Sequence, residues 1–197
     1  MYEMNLKRMF SKDEVKGTKN YLNSQKKYEI LRTVIYFILP LSLFTAGYLT
    51  THTRNNLLTL VAVLGCLPAC KSLVEMIMHC RYQSLKETDA AEIEKHTNGL
   101  TCLYDCIFTS REKTYPVGHL TVCGNTIVGY LCSSKVSATD CAKHLDTCLK
   151  ADRYTDISIK LFTDLKKYTE RLEQLQKLNC EAKNTEGILN TLKAISL

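Results

Sequence analysis

The chain has 197 residues, of which 45% are hydrophobic and 23% charged, with a mean hydropathy of −0.13 and a net charge of +6. These values exclude a collagen-like chain, a long disordered tail and a polytopic transporter. The ten cysteines are too few for the composition of a disulfide scaffold. The length allows one domain, or one small domain together with another element.

The first long uncharged stretch covers residues 33–53. Its 21 residues contain no Asp, Glu, Lys or Arg. As a helix rising 1.5 Å per residue, it is long enough for the roughly 30 Å hydrocarbon core of a bilayer. It also lacks the polar face of a soluble helix. We therefore predict a transmembrane helix over about residues 31–50.

A second uncharged stretch of 16 residues follows at 55–70. It continues as an apolar segment interrupted only by Lys71 and Glu75, which predicts a second transmembrane helix over 56–78 after an external turn at 51–55. Lys71 and Glu75 share a helix face and fit a pair that snorkels to the interface, or else the start of an ion or substrate path. The alternative is a hairpin of core helices in a soluble protein.

The short turn predicts a tight hairpin with both termini on one side. Residues 1–32 carry eight Lys and Arg against four Asp and Glu, and the turn carries one Arg. The positive-inside rule therefore predicts that both termini are cytoplasmic. Ala62, Gly65 and Ala69 form a stripe of small residues where the partner helix can approach closely.

Residues 1–30 predict a basic, amphipathic juxtamembrane segment. Ser11 and Glu14 have the spacing of a capping box, so a helix is expected to begin near Lys12. Such a basic segment is attracted to anionic lipid headgroups. It has no base-stacking motif, so the sequence does not favour nucleic acid as its partner. The lipid bilayer is the expected partner, and the expected membrane-interface residues are Lys26, Lys27, Arg32, Lys71 and Arg81.

Residues 82–197 are long enough for one cytosolic α/β domain with its own core. Hydrophobic periodicity predicts helices at 85–97, 137–151 and 163–181, a short last helix after Gly187, and strands at 101–109, 114–122, 126–132 and 156–162. Gly124 and Asn125 form a two-residue hairpin turn. One face of this hairpin is expected to pair Val122 with Ile127, Leu120 with Gly129 and Gly118 with Leu131, and the other to pair Thr121 with Val128, His119 with Tyr130 and Val117 with Cys132.

The order α-β-β-β-α-β over about 85–162 is similar to the core of the restriction-endonuclease-like nuclease superfamily. The resemblance implies carboxylates that hold Mg²⁺, and a lysine, on the second and third strands. There is no Asp or Glu between Lys113 and Asp140, and Lys135 has no acidic residue two positions earlier. The usual catalytic site is therefore missing, and the remaining catalytic candidates are Asp105, His119 and Lys135.

The spacing of Cys141, His144 and Cys148 places their side chains on one helix face. Soft metals bind Cys and His, but structural zinc takes four ligands and this helix face offers three. Leu145 lies on the same face, which favours packing of these side chains in the core. In a cytosolic domain the thiols are expected to be reduced, as packing residues or redox groups. No cofactor is expected. Asp105 interrupts an apolar strand and is expected to make a strand-end hydrogen bond or to face solvent.

No catalytic motif occurs in the chain, so the sequence favours a non-enzymatic, membrane-anchored domain for interaction, scaffolding or sensing. Its expected partner is another protein or a second copy. The alternatives are a membrane-tethered enzyme of nuclease-like fold and an oligomeric channel or transporter accessory subunit.

Overall fold

The computed structural model describes residues 16–53, 56–133, 136–177 and 185–197. The chain divides into two compact units. One contains the helices of Leu22–Gln83, and the other contains Ser84–Leu197 with a short segment that precedes the first helix. The helix start expected near Lys12 and the candidate Lys135 lie outside the described residues.

Two long helices form the first unit. Helix α1 spans Tyr21–Thr51, beginning ten residues before the predicted transmembrane segment, and α2 spans Leu57–Arg81. The side chain of Asn56 caps α2 by accepting a hydrogen bond from the Thr59 N–H at 2.7 Å. Both helices are long and apolar enough to cross a membrane, and only 17% of each apolar window is buried. Core helices of a soluble protein are mostly buried, which these are not.

Small and polar residues line the seam between α1 and α2. The buried positions Thr33, Pro40 and Gly47 recur every seven residues in α1. A Cβ on Gly65 would lie 3.3 Å from the Pro40 Cβ, and one on Gly47 would lie 2.8 Å from the Leu58 Cβ. This seven-residue repeat is the spacing of antiparallel helices packed at a small crossing angle. Ala62 and Ala69 are buried, so the predicted small-residue stripe lies in the seam.

The second unit has the element order α-β-β-β-α-β-α-α. The predicted elements are present, with ends that differ by a few residues because helix termini depend on local caps. The elements are α3 (Glu87–Lys95), β1 (Thr101–Thr109), β2 (Thr114–Cys123), β3 (Thr126–Leu131), α4 (Ala138–Ala151), β4 (Ser158–Phe162), α5 (Leu165–Gln176) and α6 (Thr185–Ile195).

The four strands form one mixed sheet in the order β1-β2-β3-β4. Strand β2 is antiparallel to both β1 and β3, and β4 is parallel to β3. The α4 crossover supplies the long connection that a parallel pair needs. Gly124 has a φ of 57°, as expected at the first position of a tight hairpin turn.

The hairpin register is the predicted one for the four pairs nearest the turn. Beyond them the prediction is wrong, because Val117 and not Gly118 pairs with Leu131. Gly118 lies in a register shift where any Cβ would collide with the Cys132 sulfur. An irregularity of this kind adds one residue to a strand and reverses the faces beyond it.

The sheet is covered on both faces. Helices α4 and α6 cover the face that includes Leu103, Phe108 and Leu120. Helices α3 and α5 cover the other face, which includes Val128 and Tyr130. The sequence left open whether this second face is covered, and α5 buries it beneath Tyr168 and Leu172.

Candidate functional site

A cluster of charged and hydroxyl side chains lies within the α1–α2 pair. The Arg32 guanidinium contacts the Glu29 carboxylate at 2.8 Å and also pairs with the Glu75 carboxylate of α2. The Thr33 hydroxyl lies 2.9 Å from the Ser72 hydroxyl and donates to the Ser72 carbonyl at 3.1 Å. The side chains are largely withdrawn from solvent, with Glu29 only 1% exposed. Buried charges are retained when they are paired, as these are.

Two more polar side chains extend the cluster. The Gln25 amide donates to the Glu29 carboxylate at 3.1 Å, and the His79 Nε2 lies 3.9 Å from the same carboxylate. Lys71, on the same face of α2 as Glu75, is exposed, and Glu75 pairs with Arg32 across the seam. Ordinary helix spacing within α2 could not reveal a contact with a residue of α1.

A second polar cluster lies between the sheet and α5. The His119 Nδ1 lies 2.5 Å from the Tyr168 hydroxyl, which is also 3.3 Å from the Thr121 hydroxyl. The Tyr104 ring meets the His119 ring edge-on, with centroids 4.5 Å apart. His119 is fully buried. Burial lowers the pKa of His119 to about 3 and raises the pKa of Tyr168, so both side chains are neutral at physiological pH.

Asp105 stands at an irregular position of β1. It has a φ of +52°, and the register of β1 with β2 passes from Tyr104 to Cys106 without it. Its carboxylate is buried and accepts a hydrogen bond from the Leu85 N–H at 2.9 Å. The expected alternative of solvent exposure is therefore wrong. The hydrogen bond fixes the chain that leads into α3, so Asp105 has a structural partner within its own domain.

The two catalytic candidates within the described residues, Asp105 and His119, bond to different partners. Tyr104, next to Asp105, is opposite His119 in the sheet, so the first two candidates lie on neighbouring strands. The Asp105 carboxylate bonds to a backbone N–H, and His119 bonds to a tyrosine of α5. Lys135 lies outside the described residues.

The proposed metal candidates Cys141, His144 and Cys148 lie on α4 as expected. Cys141 is buried in the core under the sheet, and burial raises the pKa of its thiol to about 12. The His144 ring stacks on Tyr115 with centroids 5.9 Å apart, and its Nε2 lies 3.8 Å from the Cys148 sulfur. Within the described ranges, no group of three metal-ligating side chains has a geometry that could hold a metal ion.

The predicted membrane-interface residues differ in their exposure to solvent. Lys27, Lys71 and Arg81 are exposed, Lys26 is half-buried, and Arg32 is part of the charged cluster of the helix pair. Among the described cysteines, eight are free thiols and Cys123 is disulfide-bonded. The expectation of reduced packing residues therefore does not extend to Cys123.

The chain matches no protein-family model, no curated protein and no solved structure.

Proposed function

We propose that the protein is a two-pass membrane protein whose α/β domain is a non-enzymatic interaction or sensing module. The proposal rests on one observation: both described catalytic candidates are bonded to other groups of their own domain. Asp105 accepts a hydrogen bond from the Leu85 N–H, and His119 bonds to Tyr168. A general acid or base must reach the substrate and titrate near the working pH. A fully buried His119 with a pKa near 3 meets neither condition.

Membrane insertion is supported by the surfaces of α1 and α2 outside the seam. Leu39, Leu49 and Leu57 are between 62% and 76% exposed, together with many other large apolar side chains. Such a surface suits lipid and not water. Two hydroxyl groups in the apolar part of α1 donate to carbonyls of the same helix, as suits a bilayer without water to bond to. Ser42 donates to the Leu39 carbonyl at 2.8 Å, and Thr50 donates to the Ala46 carbonyl at 2.9 Å.

The orientation that we propose has both termini in the cytoplasm, because the basic residues of 1–32 outnumber the single basic residue of the turn. One observation favours the opposite orientation. Cys123 is disulfide-bonded, and disulfides persist mainly in oxidising compartments. A topology measurement separates the two orientations.

We further propose that the α/β domain is a restriction-endonuclease-like core that lacks its catalytic residues. The support is the order α-β-β-β-α-β and the mixed sheet in which β4 is parallel to β3. The departure is at β2 and β3, where the sequence has no carboxylate to bind Mg²⁺. Fold similarity alone does not carry activity.

The full-length chain in detergent tests the proposal. We expect it to remain in the membrane fraction after carbonate extraction and to cleave neither single-stranded nor duplex DNA with Mg²⁺. Release of the chain by carbonate would contradict membrane insertion. DNA cleavage that disappears in His119→Gln but not in the exposed control Lys166→Gln would contradict the non-enzymatic role.

A further inference from the structure

The two edges of the sheet differ in whether other segments of the chain pair with them. At the β1 edge, the Leu197 N–H donates to the Ile107 carbonyl at 2.9 Å, and the Tyr104 N–H donates to the Gly17 carbonyl at 2.8 Å. The chain's own backbone thus covers that edge. At the other edge, within the described part of the chain, β4 pairs with β3 alone. An edge strand with unpaired backbone groups is a template for another strand.

The outward backbone groups of β4 can be assigned. The Ser158 N–H donates to the Asn125 carbonyl at 2.9 Å, so Ser158 faces β3. Alternate residues of a strand direct their N–H and C=O groups to opposite edges. The groups of Ile159 and Leu161 therefore point away from the sheet.

A surface groove runs beside this edge. It has a volume of about 300 Å³ and lies between α4 and the start of β4. Its lining is partly apolar and partly charged: Ala142, Lys143, Asp146, Ile157 and Ile159. An edge strand beside a helix, with a groove between them, can take an extended peptide whose backbone joins the sheet and whose side chains enter the groove.

The charged side chains near β4 indicate which kind of peptide would bind at this edge. Asp146 is already paired with Lys150 at 2.6 Å. The exposed Lys143 in the groove and Lys160 on the opposite face of β4 form no ion pair within the described ranges. The nearby Asp164 is engaged in capping α5, where it accepts from the Lys166 N–H at 3.0 Å. A partner strand with carboxylates on the face of Lys160 would complement that lysine, and its alternate apolar side chains would enter the groove beside Ile157 and Ile159.

A second copy of the chain fits this edge less well. The antiparallel register that pairs all five residues of one β4 with those of another puts Lys160 opposite Lys160. Like charges directly opposite each other are destabilising, and a lysine on an edge strand is a common protection against self-association. The same lysine attracts an acidic strand.

We propose that β4 and the groove beside α4 bind an extended peptide segment of a partner protein in which acidic and apolar residues alternate. The peptide adds a fifth strand through the backbone groups of Ile159 and Leu161. This inference rests on the proposed function, because it names the surface by which the interaction module takes its partner.

The test uses the full-length protein in detergent and two capped peptides, Glu-Val-Glu-Val-Glu-Val and Lys-Val-Lys-Val-Lys-Val. We expect the acidic peptide to bind and to slow hydrogen exchange at the Ile159 and Leu161 amides at least tenfold, and the basic peptide to do neither. The variant Lys160→Glu should weaken binding about threefold to fivefold, the size expected for reversing one exposed ion pair. The matched control Lys167→Glu on α5, also at an exposed position, should not.

Three results would overturn the docking site: absence of binding by the acidic peptide, equal binding of both peptides, or binding without protection of the two amides. If the chain still resists carbonate extraction and cleaves no DNA, such a result rejects this surface and leaves the proposed function standing. If the chain fails those assays, the proposed function itself is rejected.

Discussion

The Thr33 hydroxyl of α1 lies 2.9 Å from the Ser72 hydroxyl of α2, 39 residues away in the chain. Moving seven residues along α1 and seven back along α2 leads from this pair to Pro40 and Gly65, which are also in contact. A further seven leads to Gly47 and Leu58. The three contacts therefore share one antiparallel register, in which the hydroxyl pair lies next to the charged cluster and small residues permit close approach.

The closest approach in this register makes Gly47 sensitive to size. Gly47→Val places atoms against the Leu58 Cβ and the Asn56 side chain, and we expect a loss of about 1–3 kcal/mol in hairpin stability, as for other overpacked sites. Ala46→Val is the control, because Ala46 is exposed. SDS-induced unfolding in mixed micelles, followed by circular dichroism, measures both. Equal transition midpoints would show that the helices do not pack in this register.

The charged cluster predicts that Arg32 contributes more than the exposed lysines. Arg32→Gln leaves the carboxylates of Glu29 and Glu75 without their guanidinium partner, and we expect a loss of about 3 kcal/mol, as for breaking a buried pair from one side. Lys71→Gln, at an exposed position, should change stability by less than about 0.5 kcal/mol. The same SDS titration compares the two variants. Similar losses would mean that the cluster is open to water.

The buried histidine predicts a pH dependence of the α/β domain. The folded pKa of His119 is about 3 and the ordinary value is 6.5, so the unfolded state binds more protons between these values. Stability is therefore full above pH 6.5 and falls as the pH is lowered towards 3, with about 2 kcal/mol lost between pH 7 and 5. Urea unfolding of the full-length chain, followed by tyrosine fluorescence, measures the loss. His119→Gln should abolish this part of the pH dependence, and an unchanged slope would contradict the assignment.

Two substitutions at Asp105 separate the effect of its charge from that of its positive φ. Asn tolerates this conformation and keeps an acceptor for the Leu85 N–H, so Asp105→Asn should cost less than about 1 kcal/mol. Asp105→Val loses the acceptor and puts a β-branched residue at positive φ, for an expected cost of about 3 kcal/mol. Urea unfolding at pH 7 ranks the two variants. A larger loss for Asn than for Val would show that Asp105 acts through its charge.

Local patterns predict much of this structure. Alternating apolar residues locate the strands, and the Gly124–Asn125 turn gives most of the hairpin register. The small-residue stripe of α2 identifies its seam face. Each of these features depends on residues close together in the chain.

The features that local patterns miss depend on distant partners. At the register shift, the Cys132 sulfur occupies the space that a side chain at position 118 would need, so only a glycine fits there. Arg32 pairs with Glu75 across 43 positions, although Lys71 is the nearer basic residue in the chain. His119 becomes buried and neutral only when α5 places Tyr168 over it. Periodicity within a single segment contains no information on such contacts.

We propose that α1 and α2 cross a membrane with the α/β domain on the cytoplasmic side. The most direct measurement is topology mapping in intact cells, with a reporter fused after Leu197 and an epitope inserted in the 51–55 turn. We predict that the reporter is active in the cytoplasm and that antibody reaches the epitope from outside without permeabilisation. An epitope that is accessible only from the cytoplasm, with the reporter outside, would contradict the orientation and agree with the oxidised state of Cys123.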